Sequence, residues 1–457
     1  MTKLKTHNIK KKIYKKNTYK KTNKKRTYGG KALASGSYGC VFDSLKCQDT
    51  NKYPYNPNHI SKLMYKNDAI DEMEEMRQAQ QIVNNIPNYD KFFLLSNITL
   101  CNPAPLSPSD LENFDNECEL FTQAHNNENI FSSTVNMNLD KLMLINMPNG
   151  GKSVKQMFKL IYSEENDKLR KSLFITLNNS LMNLLQFGIV PLNQAKFNHF
   201  DIKDDNILFG PDKNSRLIDW SLASANDGTT IPKAATNRSI HFNMPVSLLL
   251  FNTFIKDFIK KSYAEIKVSA NLGDTKAGQK EFIKMIALNL LNVAMRPPKD
   301  DSHFRIIVDR ILHSIYKLYI TEKENVLIDY KVLTNNVIIE YIEAVLIKYV
   351  DINGNFDDVR YFYEVFQKNA DIWGFILSYS SVIERGYDKF PKDFINGLCR
   401  IFIKYCFSPE FAATPIDINS LLKDLTSLNA VLRASSLNTK KNKTKIHSVK
   451  RLPYETN

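Results

Sequence analysis

Between His199 and Asn206 the chain reads His-Phe-Asp-Ile-Lys-Asp-Asp-Asn, and Ile-Asp-Trp-Ser follows at 218–221. No other stretch restricts the fold and the chemistry as far. Asp201 offers a carboxylate able to orient an attacking hydroxyl, and Lys203 an ammonium able to offset charge on a moving phosphate. Asn206 and Asp219 offer an amide and a second carboxylate suited to magnesium. Phosphoryl transfer calls for such a set because positioning and charge stabilisation supply most of its catalysis. An acidic, Asn-containing surface loop is the competing interpretation, and it loses ground as the rest of the chain falls into the same order.

The stretch resembles the catalytic loop of eukaryotic-type protein kinases, His-Arg-Asp-Leu-Lys-x-x-Asn, and Asp219 resembles the Asp of their Asp-Phe-Gly. Phe200 stands at the usual Arg, Trp220 at Phe and Ser221 at Gly, and none of these changes removes a group that touches phosphate or metal. The resemblance implies Asp201 as base, Lys203 as a γ-phosphate contact, and Asn206 and Asp219 as Mg2+ ligands. Upstream, Leu33-Ala34-Ser35-Gly36-Ser37-Tyr38-Gly39-Cys40-Val41 resembles the Gly-rich loop that covers ATP, with Ala34 at the first Gly. Glycine serves there because a backbone without Cβ can lie close over phosphates. Lys62, within His59 to Met64, resembles the third-strand Lys that pairs the α- and β-phosphates.

Asp68 to Ile86 reads as a helix that stops before Pro87, with an apolar face of Ile70, Met73, Ala79, Ile82, Val83 and Ile86. The resemblance implies that a Glu on this helix holds Lys62. Glu75 lies four positions before Ala79 and is preferred; Glu72 shares its face one turn earlier, and Glu74 competes. Phe92 to Leu100 reads as a strand, 101–138 as a polar excursion, and Leu142 to Ile145 as a further strand. Asn146 and Met147 follow where the two lobes of the resembled fold join, so their backbone is expected to receive the adenine.

Lys168 to Phe187 reads as a helix leading into the loop. After Asp219 a segment runs to Pro245, which occupies the Pro of Ala-Pro-Glu, with Val246 in place of Glu. Ser239 is expected to bond Asp201 and Lys203. Asp371-Ile372-Trp373-Gly374-Phe375 resembles the start of the central helix of the larger lobe, whose Asp supports the catalytic loop. Residues 246–369, between these landmarks, read as a largely helical insertion packed on that lobe.

The expected fold is therefore α+β and bilobal, like a protein kinase, with a small β-rich lobe and a larger, mainly helical one. The expected division is a basic tail 1–28, amino-terminal lobe 29–147, catalytic and activation segments 148–245, insertion 246–369, remainder of the lobe 370–432 and basic tail 433–457. Residues 1–28 carry 12 Lys or Arg and no acid, and 433–457 carry a net +6; of the total +14, about −4 is left for the body. Such basic blocks suit a weak anionic partner, nucleic acid or an acidic surface. No apolar run reaches the roughly 18 residues that a membrane span needs. Six cysteines without a Cys-x-x-Cys pair suggest a reducing compartment. The heavy use of Lys, Asn and Ile, with the motif variants, resembles the kinases of large nucleocytoplasmic DNA viruses of the mimivirus-like group. That resemblance implies an intracellular setting, the host cytoplasm if viral, with association with the virion. The expected activity is transfer of the γ-phosphate of ATP to serine and threonine hydroxyls of a protein substrate. A pseudokinase scaffold and a phosphotransferase acting on a small molecule or lipid are the alternatives.

Overall fold

In the computed structural model, residues 31–36, 39–123, 129–236, 238, 241–269, 276–294, 306–320 and 329–447 are described. The expected tail 1–28 lies outside them. The architecture is α+β, mostly helical with small antiparallel sheets.

Five strands, β1 (Ala32–Gly36), β2 (Gly39–Asp43), β3 (His59–Tyr65), β4 (Thr99–Cys101) and β5 (Leu142–Pro148), form one sheet in the order β1-β2-β3-β5-β4. Side chains alternate across a strand, so every second residue of β3 and β5 reaches the same face. Ile60, Met64, Ile145 and Met147 take one face, which packs on helix α1 (Lys66–Val83) through Ala69, Met76, Ala79 and Val83. Leu63, Leu142 and Leu144 take the other, joined by Cys40 and Phe42 of β2.

The polar stretch expected over 101–138 covers this second face. Leu106, Phe114, Phe121, Ile130 and Val135 are buried on it, with Phe114 and Phe121 stacked at 5.9 Å. Burying side chains of this size stabilises by about 1.5–3 kcal/mol each. The disulfide Cys40–Cys118 fastens the covering to β2, Cys47–Cys101 joins the loop after β2 to the end of β4, and Cys399 and Cys406 are free and buried. Paired cysteines depart from the free thiols of a reducing compartment. The strand expected over Phe92 to Leu100 also changes: only its end joins β4, while Phe92 and Leu94 exchange backbone bonds with Leu217 at 2.8 and 3.2 Å. That segment ties the five-stranded sheet to the helical body.

The body is built on helix Asp167–Leu184, whose N-cap Asn166 accepts from Leu169 N at 3.1 Å. Helices Gln367–Leu377, Lys392–Ile401 and Ile418–His447 share its core. Among the described residues, Asp167–Gln194 is the one helical run apolar and long enough to cross a membrane. Phe174, Leu177, Leu181, Leu184, Leu185 and Ile189 on it are buried in the body.

The stretch expected as an insertion contributes helices Thr253–Ser269, Lys276–Ala294, His313–Ile320 and Tyr330–Tyr349, and its apolar residues enter the same core. Tyr341 packs edge-on against Trp373, and Tyr361 Oη donates to Ser247 Oγ at 2.7 Å. The divisions expected at 147/148, 369/370 and 432/433 fall inside β5, helix Gln367–Leu377 and helix Ile418–His447. At 369/370 and 432/433 no glycine or proline interrupts the helix, while 147/148 lies one residue before β5 closes at Pro148.

Candidate active site

Short strand pairs place the loop 199–206. Phe197–Asn198 pairs with Ser224–Ala225 on one side, and Ile207–Phe209 pairs with Ser215–Leu217 on the other. The second hairpin turns through Lys213 at φ 64°, braced by Asp212, whose carboxylate accepts from Asn214 and Arg216. It brings the chain back so that Ile218 N donates to Asn206 O at 3.1 Å. The short hairpin thus returns the chain at Asp219 to the neighbourhood of Asn206.

Asp371 fixes the loop backbone from below. Its Oδ1 accepts from Phe200 N at 2.8 Å, and its Oδ2 from His199 N at 3.0 Å and Asn198 Nδ2 at 3.2 Å. Burial raises its pKa, and His199 with the backbone and Asn198 donors draws it back only in part. Phe200 holds φ 58°, a costly conformation for a bulky side chain that persists only where neighbours enforce it. Its N–H is held by Asp371, its carbonyl accepts from Arg238 Nη1, and its fully buried ring lies 6.4 Å from that of Phe362. Gly374 leaves room for the loop, since a Cβ there would run into Ile202 O.

His199 accepts from Asp201 N on Nδ1 at 3.3 Å, which leaves Nε2–H to donate to Ile218 O at 3.1 Å. Trp220 packs beside it, with ring centroids 4.9 Å from His199 and 5.6 Å from Phe93. Its larger ring leaves a buried indole N–H with no partner among the described residues.

Asp201 is 4% exposed, and both of its oxygens are engaged. Lys203 Nζ and Asn206 Nδ2 donate to Oδ2 at 2.7 and 2.9 Å; Asn243 Nδ2 and Arg238 Nη2 donate to Oδ1 at 2.9 and 3.3 Å. Burial alone would raise its pKa, but Lys203, Asn243 and Arg238 outweigh it and hold the carboxyl below its usual range. A carboxylate has about four acceptor positions, so this one is filled. Ser239, expected on Asp201, lies outside the described residues; Arg238 and Asn243 stand there, and no periodic pattern in the sequence marks them.

Lys62 sits opposite Val41 on β2 and Ile145 on β5. Its ammonium meets Glu72 Oε2 at 2.5 Å, with both side chains largely buried. The partner expected at Glu75 is therefore corrected to Glu72. The buried positions of α1 are Ala69, Met73, Met76, Ala79 and Val83, while Ile70 is 44% exposed. At 100° per residue Glu72 lies about 40° from the centre of that stripe and Glu75 about 100°. Burial raises the pKa of Glu72 against the pull of Lys62, and Asp219 adds to the rise. Glu75 is pushed up to about 7 by burial, Glu72 and Asp219. These couplings set the acidic side of α1 across from the Asp219 loop.

The Gly-rich stretch forms the β1–β2 hairpin, in which Ala34, Ser35 and Gly36 pair with Val41, Cys40 and Gly39. Ser37 and Tyr38 lie outside the described residues, and Leu33 is exposed. Gly39 is required by space: a Cβ would come within 2.6 Å of Met64 and 2.8 Å of Leu63 O. Cys40 points its sulfur to the covered face, away from Lys62, where it pairs with Cys118. Asn146 is displaced likewise. Its side chain bonds Ser61 and Cys47 on the covered face, and it pairs in the ladder with Ser61 and Thr99. Met147 shares the face of Lys62 but pairs with Ile60. An adenine at these two positions would compete with the ladder for their backbone groups.

Magnesium usually takes one or two carboxylates with substrate phosphates and water. Among the described residues no group of three or more His, Cys, Asp or Glu side chains gathers to hold a metal. The Asn206 and Asp219 pair fits the sparser pattern. Asn206 Nδ2 is spent on Asp201 O and Oδ2, which leaves its carbonyl oxygen; Asp219 accepts from Ser221 Oγ on Oδ1 at 2.9 Å and keeps Oδ2. No protein-family model matches the chain, and no curated protein matches it in sequence.

Proposed function

We propose that the chain is an ATP- and magnesium-dependent phosphotransferase with a bilobal, protein-kinase-like fold, acting on serine and threonine hydroxyls of proteins. The observation that carries this is a connected set of groups: Asp201 and Lys203 pair on one loop, Asn206 of that loop donates to Asp201, the Asp219 strand end bonds back to Asn206, and Asp219 acts on Glu72, the partner of Lys62. Ion pairs that merely solvate a surface have no reason to gather so. Lys62 suits the α- and β-phosphates, and Lys203 the γ-phosphate. When Lys203 turns to that phosphate, Asp201 Oδ2 regains an acceptor position for the substrate hydroxyl, while Oδ1 stays held by Asn243 and Arg238. Asp201, kept ionised by its donors, orients the hydroxyl and takes its proton. Magnesium, held by Asn206 and Asp219, would neutralise charge on the phosphates.

A second reading is favoured by the filled coordination of Asp201: a fold that binds nucleotide or partner and transfers nothing. One experiment separates the two. Purified protein is incubated with labelled ATP, magnesium and general protein acceptors, beside Asp201→Ala, Asn206→Ala and Asp219→Ala. Transfer by the wild type that falls by orders of magnitude in each variant is expected. Transfer that Asp201→Ala leaves unchanged refutes the assignment, and nucleotide binding without transfer selects the second reading.

A further inference from the structure

Among its described residues, the segment 224–243 meets the catalytic loop through Arg238 and Asn243. A segment of this kind is commonly ordered when an added phosphate pairs with arginine. Here the only Arg of the segment, Arg238, is already used: its side chain is 7% exposed, and its guanidinium donates to Asp201 Oδ1 and to the Phe200 carbonyl. Asn243 donates beside it to the same oxygen and to Ile202 O at 3.1 Å. The other end is fastened by a carboxylate that takes uncharged donors. Asp227 accepts from Thr229 N at 2.7 Å, Thr230 N at 2.8 Å and Thr230 Oγ1 at 2.8 Å. Tyr363, from the stretch that precedes helix Gln367–Leu377, donates to the Thr230 carbonyl and, at 3.3 Å, to Asp227. Asn226 N donates to Lys196 O at 2.9 Å.

We infer that Arg238 and Tyr363 are positioning residues that assemble this segment on the catalytic loop without phosphorylation. Arg238 acts through Asp201, whose Oδ1 it holds so that Oδ2 faces the reaction. Tyr363 acts through the 226–230 turn, and its neighbour Phe362 packs on Phe200, so one short stretch of the 246–369 region braces both sides of the loop. The buried Phe200 fits this arrangement, since an Arg in its place would bring a second cation against Arg238. The inference rests on the phosphotransferase reading for its catalytic part alone; the ordering of the segment stands by itself.

The test uses the full chain, treated with phosphatase and shown by intact mass to carry no phosphate. Hydrogen exchange is followed across 224–236 for wild type, Tyr363→Phe and Arg238→Gln, and transfer kinetics are measured for these and for Arg238→Lys. The unphosphorylated wild type should protect 226–230, and Tyr363→Phe should speed exchange there about fivefold, the worth of one hydrogen bond. Arg238→Gln should lower kcat while KM for ATP stays, and Arg238→Lys should restore part of kcat. A wild-type segment that exchanges at unprotected rates until it gains phosphate overturns the inference. So does Tyr363→Phe with unchanged exchange, or Arg238→Gln with unchanged kcat. If the wild type transfers no phosphate at all, the phosphotransferase reading fails, and the exchange arm still decides the clamp.

Discussion

Replacing Asp371 by Asn keeps the shape of the side chain and removes one acceptor oxygen. Asp371 is 1% exposed and takes three donors, the N–H groups of His199 and Phe200 and the amide of Asn198. In Asp371→Asn one oxygen can still accept, while the new NH2 meets an N–H already aimed at it. The loss is one charge-assisted bond plus one buried donor left without a partner, about 3 kcal/mol, lessened because a buried charge is removed as well. The larger effect falls on geometry. Phe200 at φ 58° holds about 1–3 kcal/mol of strain that Asp371 helps to contain, so the loop should relax and carry Asp201 off its position. A shift of this kind costs roughly a hundredfold in rate. Urea denaturation gives the stability change, expected near 2–3 kcal/mol with an unaltered m-value, and steady-state kinetics give kcat, expected to fall far more than KM for ATP changes. A variant with stability within about 0.5 kcal/mol of wild type and an unchanged kcat would refute the claim that Asp371 sets the loop.

Four further outcomes are expected. Glu72→Gln should lower kcat/KM for ATP about tenfold or more, and Glu75→Gln should leave it within about twofold, because only Glu72 pairs with Lys62. Glu75, with its carboxyl raised to about 7, keeps a proton in the folded state that the unfolded chain releases near 4.5. Its contribution to stability is therefore complete below pH 4.5 and lost as pH rises through about 7, and urea midpoints between pH 5 and 8 should fall less steeply in Glu75→Gln. Thiol titration of the denatured, unreduced protein should find two thiols, Cys399 and Cys406, and six would contradict the pairing. The two disulfides span sequence separations of 78 and 54, so loop closure is worth up to about 4 kcal/mol for each, less for the nested pair together, and reductant should lower the melting temperature.

What the sequence determined by itself was local. Asp201, Lys203 and Asn206 lie on one tight loop, so their order in the chain nearly fixes their order in space. Asp219 follows because the hairpin between it and Asn206 is short, with turn residues at Asp212 to Asn214. Asp371 was legible too, through its Asp-x-Trp pattern, although it stands within helix Gln367–Leu377 and not at its start. Tertiary structure decided whatever depended on a distant surface. The phase of α1 is ambiguous in sequence, with Ile70 and Ala69 adjacent, and only the sheet that covers Ala69 selects Glu72 over Glu75. Cysteine pairing needs the covering of the sheet to bring Cys118 to β2, and the sheet order to bring Cys101 of β4 near the loop after β2, juxtapositions that spacing cannot encode. Asn146 turned its side chain from the site because strand register, set by β3, allots alternate residues to opposite faces. Arg238 and Asn243 reach Asp201 only through the path of an irregular segment, and no periodicity in the sequence records such a path.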